Sequence, residues 1–408
     1  MYTILQDNNR SLHEELVSFT RELIRIPSVS FEESKIARKV EQKMQQLGYD
    51  KVFCDDFGNV VGVIFGLERE PTMLLNSHMD TVPMGNENWE HAPFEATIAE
   101  GRMYGLGAAD CKGGVAAQVF AGGLLKKSLL PLKGNLVVAA TVAEQNGISL
   151  GMRGALEHTL PELGLNPDYA VLGEPTGLGL YYGHDGWMEV DINVEGANPF
   201  HVNDVTRSLY DFIGSQNNTS GPDRIEKSMA LGTPRIKNNR GLLRSNFRLA
   251  HRIYQTENAD EVLGRLNREV GLVAGGENSV AIKVNLRKEN RRLYNGRTCQ
   301  NRHLVNAWST DPFHPLVEKS RQALKAAGCS AEPGKWQLTR LCMGTAGNVL
   351  STEFNVPTVG YGPGDEELAH ARDEYVELDK LSEAAYGTAV VVHSLIGVPI
   401  FGWSCEEI

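Results

Sequence analysis

The run Met73-Leu74-Leu75-Asn76-Ser77-His78-Met79-Asp80-Thr81-Val82-Pro83 begins apolar and ends in residues that carry chemistry. Its start is too continuous for a half-solvated strand and matches a buried strand of an α/β sheet. Asn59 to Phe65, Asn135 to Val142 and Tyr169 to Leu172 are runs of the same kind. Open α/β sheets collect ligands at the carboxyl ends of their strands, so the residues just past these runs are the place to look for a site. In a strand, positions i and i+2 point the same way, so His78 and Asp80 share a face. That is the arrangement in which a carboxylate orients a metal-bound imidazole.

The flanking sequence supplies helices to pack on such a sheet. Leu12, Leu16, Phe19, Leu23 and Ile26 recur at helical spacing; the capping-box pattern Ser11 to Glu14 predicts the start, and Pro27 the end. Ile36, Ala37, Val40, Met44 and Leu47 mark a second helix that Gly48 is placed to end in a left-handed conformation. From about residue 181 the texture changes. Met188 to Val194 alternates as a half-exposed strand, Leu243 to Ile253 and Ser279 to Leu286 read as further strands, and Thr206 to Gly214 and Ala259 to Val270 as helices between them. Pro312 to Ala327 and Asn355 to Tyr361 resume the first texture. The expected organisation is a discontinuous α/β domain of residues 1–180 and 294–408, with a mixed central sheet flanked by helices. A smaller α+β domain, residues 181–293, is inserted into it.

Composition sets the outer bounds. A chain of 408 residues, 41% hydrophobic and 22% charged, is globular and long enough for two or three domains. Forty basic against fifty-one acidic side chains give a net charge of −11, which opposes a nucleic-acid partner. Six cysteines without a CxxC pair (Cys54, Cys111, Cys299, Cys329, Cys342 and Cys405) read as reduced thiols of a cytoplasmic protein. The start lacks the basic and apolar pattern of a secretory signal. The uncharged stretch from Ala385 to Trp403 is marginally long enough to span a membrane, but Gly387, His393, Ser394, Gly397 and Pro399 interrupt it, and it reads as a buried helix followed by a turn.

Four more segments concentrate His, Asp and Glu at the ends of apolar runs. Gly105-Leu106-Gly107-Ala108-Ala109-Asp110-Cys111-Lys112-Gly113-Gly114 places a carboxylate at a helix start. It contains neither GxGxxG nor the GxxxxGK[ST] of a phosphate loop, and Cys111 reads as a buried thiol. Glu144, in Thr141-Val142-Ala143-Glu144-Gln145-Asn146-Gly147, could be a general base, a ligand or a helix cap. Gly173-Glu174-Pro175-Thr176 follows a strand, and Gly362-Pro363-Gly364 leads to Ala369-His370 with Asp373 and Glu374 behind. Singly, each is more commonly structural. Together, His78, Asp110, Glu174 and His370 make the mix of imidazoles and carboxylates that zinc prefers.

With these residues in order, the chain resembles the di-zinc amidohydrolases that include acetylornithine deacetylase, succinyl-diaminopimelate desuccinylase, aminoacylase and glutamate carboxypeptidase. The segments HMDTVP, GLGAADCKGG, GEPT and GPGDEELAH carry the likeness over nearly the whole chain. The resemblance implies a catalytic domain with an inserted lid that often forms a homodimer. It also implies hydrolysis of an amide in an N-acyl amino acid, small peptide or related small molecule. Two divalent ions are implied, Zn2+ foremost, with Co2+ or Mn2+ as alternatives. Carried over by motif, His78 and Glu174 would hold one ion and His370 the other. Asp110 would bridge them, before a non-proline cis peptide to Cys111. Asp80 would orient His78, and Glu144 would take a proton from water and deliver it to the leaving amine. His201 matches a lid histidine that reaches the partner subunit's site in dimeric relatives. Asn239 and Arg252 have the spacing of the lid Asn and Arg, and Gly344 and Thr345 resemble a loop that meets the substrate carboxylate.

Where the family usually has two adjacent glutamates, the second of them a metal ligand, this chain has Glu144-Gln145. The neutral Gln145 amide is a poorer partner for a dication, so binding at the His370 position is expected to be weakened. Ala346 replaces an Asp usual after Gly344-Thr345. Asp185 and Asn198-Pro199-Phe200 are departures that point to a specialised substrate, and His184 and Trp187 lie near the expected hinge, Trp187 as packing. Two other classes of function follow from these departures. One is a non-catalytic relative that binds a small carboxylate or a protein partner; the other is a different metal-assisted C–N bond reaction.

Overall fold

The computed structural model describes residues 1–85, 88–145, 149–215, 228–239, 241–274, 279–338 and 342–399. Asn146, Gly147, Trp403 and Cys405, singled out above, lie outside them. The protein is mixed α/β with a mixed central sheet flanked by helices. Eight strands build that sheet in the spatial order Lys51–Cys54, Val60–Ile64, Asn135–Thr141, Thr72–His78, Tyr169–Leu172, Thr358–Gly360, Leu180–Tyr181 and Pro333–Gly334. Thr72–His78 lies between two parallel neighbours, and all of its residues are buried.

The continuous apolar runs are explained by cover on both faces. Helices Tyr2–Ile24, Gly113–Lys127 and Leu378–Ile396 pack on one face through Leu16, Phe19, Val119, Phe120, Val390 and Val391. Met152, Leu156, Leu160, Val349 and Leu350 cover Val61, Val63, Leu74 and Val137 on the other. Leu378–Ile396 is a core element, and no described helix is long and apolar enough to cross a membrane. The first helix corrects one expectation. It starts at Tyr2, because the buried Leu5 continues the apolar stripe toward the N-terminus, and Ser11, well inside it, donates its hydroxyl to the Asn8 carbonyl (2.7 Å) instead of capping.

A second, antiparallel sheet is ordered Ser228–Asn239, Leu242–Ile253, Gly186–Gly196 and Val280–Leu286, with the short strand Leu304–Val305 also on Gly186–Gly196. Helices Pro199–Ser215 and Ala259–Val273 cover one of its faces around Val190, Ile192, Phe247 and Leu249. The hairpin Lys288–Arg292 and Thr298–Arg302 then leaves this sheet and seats its tip on the central body. The Tyr294 hydroxyl donates to the Gly58 carbonyl (3.0 Å), the Asn295 amide to the Asp56 carbonyl (2.8 Å), and the Arg297 guanidinium lies 3.9 Å from the Phe57 ring centre.

Candidate metal centre

His78 ends the strand Thr72–His78, at the carboxyl end that this strand shares with its parallel neighbours. Its Nδ1 is 2.9 Å from the Asp80 backbone carbonyl. A carbonyl only accepts, so Nδ1 carries the hydrogen and Nε2 faces the site. There Nε2 meets Asp110 Oδ1 at 3.2 Å and Glu174 Oε2 at 3.6 Å. The Asp80 carboxylate is 3.7 Å from Nδ1. It accepts instead from the Ser30 hydroxyl (2.6 Å) and from the backbone N–H groups of Glu144 and Gln145 (3.1 and 3.0 Å). Asp80 thus meets His78 through its main chain, while its side chain holds the next loop.

Asp110 lies between two groups of donors. Oδ1 faces His78, and Oδ2 faces His370 Nε2 at 3.1 Å and the Gln145 Nε2 that donates to it at 2.6 Å. The Asp110–Cys111 peptide is cis, as the family resemblance implies. Glu374 holds this loop by accepting from the N–H groups of Gly107, Ala109 and Asp110, each at 2.8 Å. Gly107 is required there: its φ is +83°, and a Cβ would sit 2.6 Å from the Thr81 side chain. At Gly114 a Cβ would come 1.9 Å from the Gly173 carbonyl oxygen, so only glycine brings the following helix against the Glu174 loop. The Cys111 thiol donates to the Gly173 carbonyl at 3.1 Å, and burial pushes it well up, which keeps it protonated.

The electrostatics favour positive charge at this centre. Burial opposes a charged imidazole at His78, yet the carboxylates of Glu174 and Asp110 outweigh it and push His78 well up. Burial alone would raise Asp110, but His78 and His370 hold it below the carboxylate range. Glu144 is pushed well up, chiefly by burial, with Glu174, Asp80 and Asp110 adding to it against His78. Its Oε1 is 3.3 Å from the Ser149 hydroxyl. Burial also raises Glu174, whose Oε1 is buried with no hydrogen-bond partner. Ligand atoms of His78, Asp110, Cys111 and Glu174 all lie within 4.8 Å of one another. An orphaned carboxylate oxygen in a tight set of nitrogen and oxygen donors fits a divalent cation.

Asp110, Glu144, Gln145, Glu174 and His370 line one cavity, walled by Trp336, Met343, Gly344 and Thr345. The two loop residues read from sequence therefore border the acidic centre. Thr345 is anchored by His184, whose Nε2 accepts from the Thr345 N–H (3.0 Å) and faces its hydroxyl (2.9 Å), while Nδ1 lies 2.6 Å from the Asp185 carbonyl. Burial pulls His184 down to about 4, so it is neutral. Trp187 packs against Ala250 and Val305. Arg252 is buried and donates to the carbonyl of the wall residue Leu338 at 2.6 Å. His201 lies apart from the cavity, with Nδ1 2.5 Å from Ser279 Oγ. Asn239 ends its strand opposite Leu242, and its side chain lies outside the described residues. Sequence reasoning missed Glu33, Asn59 and Ser149 around Glu144; none of them stands in a motif or at a patterned spacing.

A model of the peptidase family M20/M25/M40 matches residues 74–395. Among curated proteins, the uncharacterized protein YgeY of Escherichia coli K12 is 25% identical over 387 residues, covering 91% of this chain and 92% of that one. A putative LysW-lysine/LysW-ornithine hydrolase of Pyrococcus abyssi is 28% identical over 367 residues, covering 90% and 89%. Among solved structures, the di-peptidase Dug1p of Saccharomyces cerevisiae has the same fold, with a TM-score of 0.71 at 14% identity over 97% of this chain and 98% of that one.

Proposed function

The chain belongs to the peptidase family M20/M25/M40, a family of hydrolases, and from that premise we propose that it cleaves an amide bond of an N-acyl amino acid, small peptide or related amide with the help of two divalent ions. The observation that carries this reading is Asp110, held with one carboxylate oxygen toward His78 and the other toward His370 and Gln145, beside the buried Glu144. His78, Asp110 and Glu174 would hold one ion, and Asp110, Gln145 and His370 the other. When bound, Zn2+, or Co2+ or Mn2+ in its place, supplies the Lewis acidity that polarises the scissile carbonyl.

The chain's own residues do the rest. Glu144, whose carboxyl burial pushes up from its ordinary value, accepts a proton from the attacking water and returns it to the leaving amine. Asp80 fixes the Glu144 backbone, and Gly344 and Thr345, steadied by the neutral His184, offer the wall against which a substrate carboxylate lies. Residues 181–293 act as a lid on a discontinuous catalytic domain. Arg252 and Asn239 belong to the substrate-binding residues, and His201 reaches a partner's site in a homodimer. Cys54, Cys111, Cys299 and Cys329, outside any disulfide, suit a cytoplasmic enzyme. One observation favours a second reading, a non-catalytic binder: the Gln145 amide lies on Asp110 Oδ2, where the family places a carboxylate.

The test strips the protein of metal, adds back Zn2+, Co2+ or Mn2+, and follows amine release from N-acyl amino acids and dipeptides, with Gln145→Glu alongside. Metal-dependent release by the wild-type chain supports the hydrolase. Release by Gln145→Glu alone marks a scaffold that Gln145 disables. No release by either version, with both binding two ions, favours the binder.

A further inference from the structure

The turn that carries Glu144 is held by its backbone. Four successive N–H groups are each taken by a side chain from elsewhere: Val142 by Asn59 Oδ1 (3.2 Å), Ala143 by Glu33 Oε1 (3.0 Å), Glu144 by Asp80 Oδ1 (3.1 Å) and Gln145 by Asp80 Oδ2 (3.0 Å). Ala143 has φ +54°, a conformation that a residue with a Cβ keeps only where its surroundings impose it. Glu33 is fully buried, and its Oε1 also accepts from the Phe31 N–H (2.9 Å), at another residue with positive φ (+75°). Its Oε2 has no hydrogen-bond partner.

The short segment from Ser28 to Glu33 also grips the other catalytic loop. The Ser28 hydroxyl donates to the Met79 carbonyl (2.9 Å), the Thr81 N–H to the Ser28 carbonyl (2.8 Å), and the Ser30 hydroxyl to Asp80 Oδ2 (2.6 Å). One segment is thereby sewn to the His78–Asp80 loop by Ser28 and Ser30, and to the Glu144 turn by Glu33. Burial, with the Asp80 carboxylate adding to it, pushes Glu33 up to about 8, so at pH 7 the side chain takes both amides as a neutral acceptor.

We propose that Glu33 is a positioning residue for Glu144: it fixes the distance between the proton carrier and the His78 loop by holding the Ala143 N–H, with Ser30 holding the Asp80 side of the same suture. The proposal rests on the hydrolase reading for its effect on rate, but not for its effect on the turn. Glu33→Ala removes the acceptor, and Glu33→Gln keeps a neutral carbonyl oxygen in its place.

The experiment measures three properties of wild type, Glu33→Ala and Glu33→Gln: kcat and KM on a substrate the wild type cleaves, Zn2+ binding by titration, and amide exchange in the peptide covering 140–146. For Glu33→Ala we expect kcat to fall by about 10- to 100-fold, the scale of a misplacement near 1 Å, with KM within about twofold. Zn2+ stoichiometry stays as in wild type, amide exchange across the turn rises by about tenfold or more, and Glu33→Gln recovers most of the loss. An unchanged kcat overturns the proposal. So does a loss of kcat, Zn2+ binding and thermal stability together that Glu33→Gln does not recover, because that is a structural defect. Should Glu33→Ala not fold, Ser30→Ala carries the same expectation at a several-fold loss of kcat. If the wild type releases no amine from any substrate, the hydrolase reading fails. The exchange data still decide this one, since unchanged exchange in Glu33→Ala overturns the suture.

Discussion

Replacing Gln145 by Glu should weaken the metal-free protein and strengthen the metal-bound one. The Gln145 amide donates to Asp110 Oδ2 at 2.6 Å. A hydrogen bond to a charged partner contributes about 1.5–3 kcal/mol, and the substitution removes it. In its place two carboxylates meet, and at ~4 Å with an effective dielectric near 20 their repulsion is about 4 kcal/mol. Proton uptake caps the loss. Moving one carboxyl from about 4.3 to 7 takes about 3–4 kcal/mol, so at pH 7 the metal-free Gln145→Glu protein should be less stable by roughly that amount. In a chain of this size that is a fall in Tm on the order of 5 °C. A dication reverses the sign, because the added carboxylate replaces a neutral amide in the donor set shared with His370. The second binding event in a Zn2+ or Mn2+ titration should tighten by about 100-fold or more. Thermal melts in chelator and in saturating metal, with calorimetric titration, read both halves. An unchanged melt in chelator, or a second ion bound no more tightly, would refute the geometry argued for Asp110, Gln145 and His370.

Three further outcomes follow from the same contacts. His184 has a folded pKa near 4 against 6.5 unfolded, so the unfolded chain binds a proton that the folded chain excludes. Its contribution to stability is therefore complete above pH 6.5 and is lost as pH falls toward 4, by about 1.4 kcal/mol per pH unit and about 3 kcal/mol in all. Denaturant midpoints from pH 7.5 to 4.5 should fall less steeply in His184→Gln, and parallel curves would reject the assignment. Gly58→Ala places a Cβ 2.5 Å from the Tyr294 ring at a φ of +92°. It should cost about 1–3 kcal/mol and couple non-additively to Tyr294→Ala in a double-mutant cycle; simple additivity would mean that the hairpin tip does not bear on Gly58. Glu374→Ala strands three backbone N–H groups of the Asp110 loop, and should lower stability by about 3 kcal/mol or more and weaken binding of both ions. Unaltered metal titration would show that the loop holds its shape without Glu374.

Much of the fold was legible because burial leaves a pattern. Thr72–His78 and Asn135–Thr141 are buried along their whole length, and their continuous apolar stretches Met73–Leu75 and Leu136–Ala140 gave their reading as interior strands. The first helix was misjudged at its start because Ser11 and Glu14 have a capping pattern while the stripe itself continues to Leu5. His78, Asp110, Glu174 and His370 were legible as chemistry for a related reason: His78 and Glu174 follow apolar strands, Asp110 and His370 sit in glycine-bearing loops, and none is a residue type that a core accepts unpaired. The tertiary structure decided the rest. It brought Asp110 between His78 and His370, set Glu174 Oε1 in place without a partner, and turned the Asp80 carboxylate from His78 to the Glu144 turn. It also brought Glu33 to an N–H 110 residues away and Asn59 to one 83 residues away. Apolar periodicity records which face of an element is buried; a side chain that bonds a distant backbone group leaves no period and no motif, and only the folded chain makes that bond.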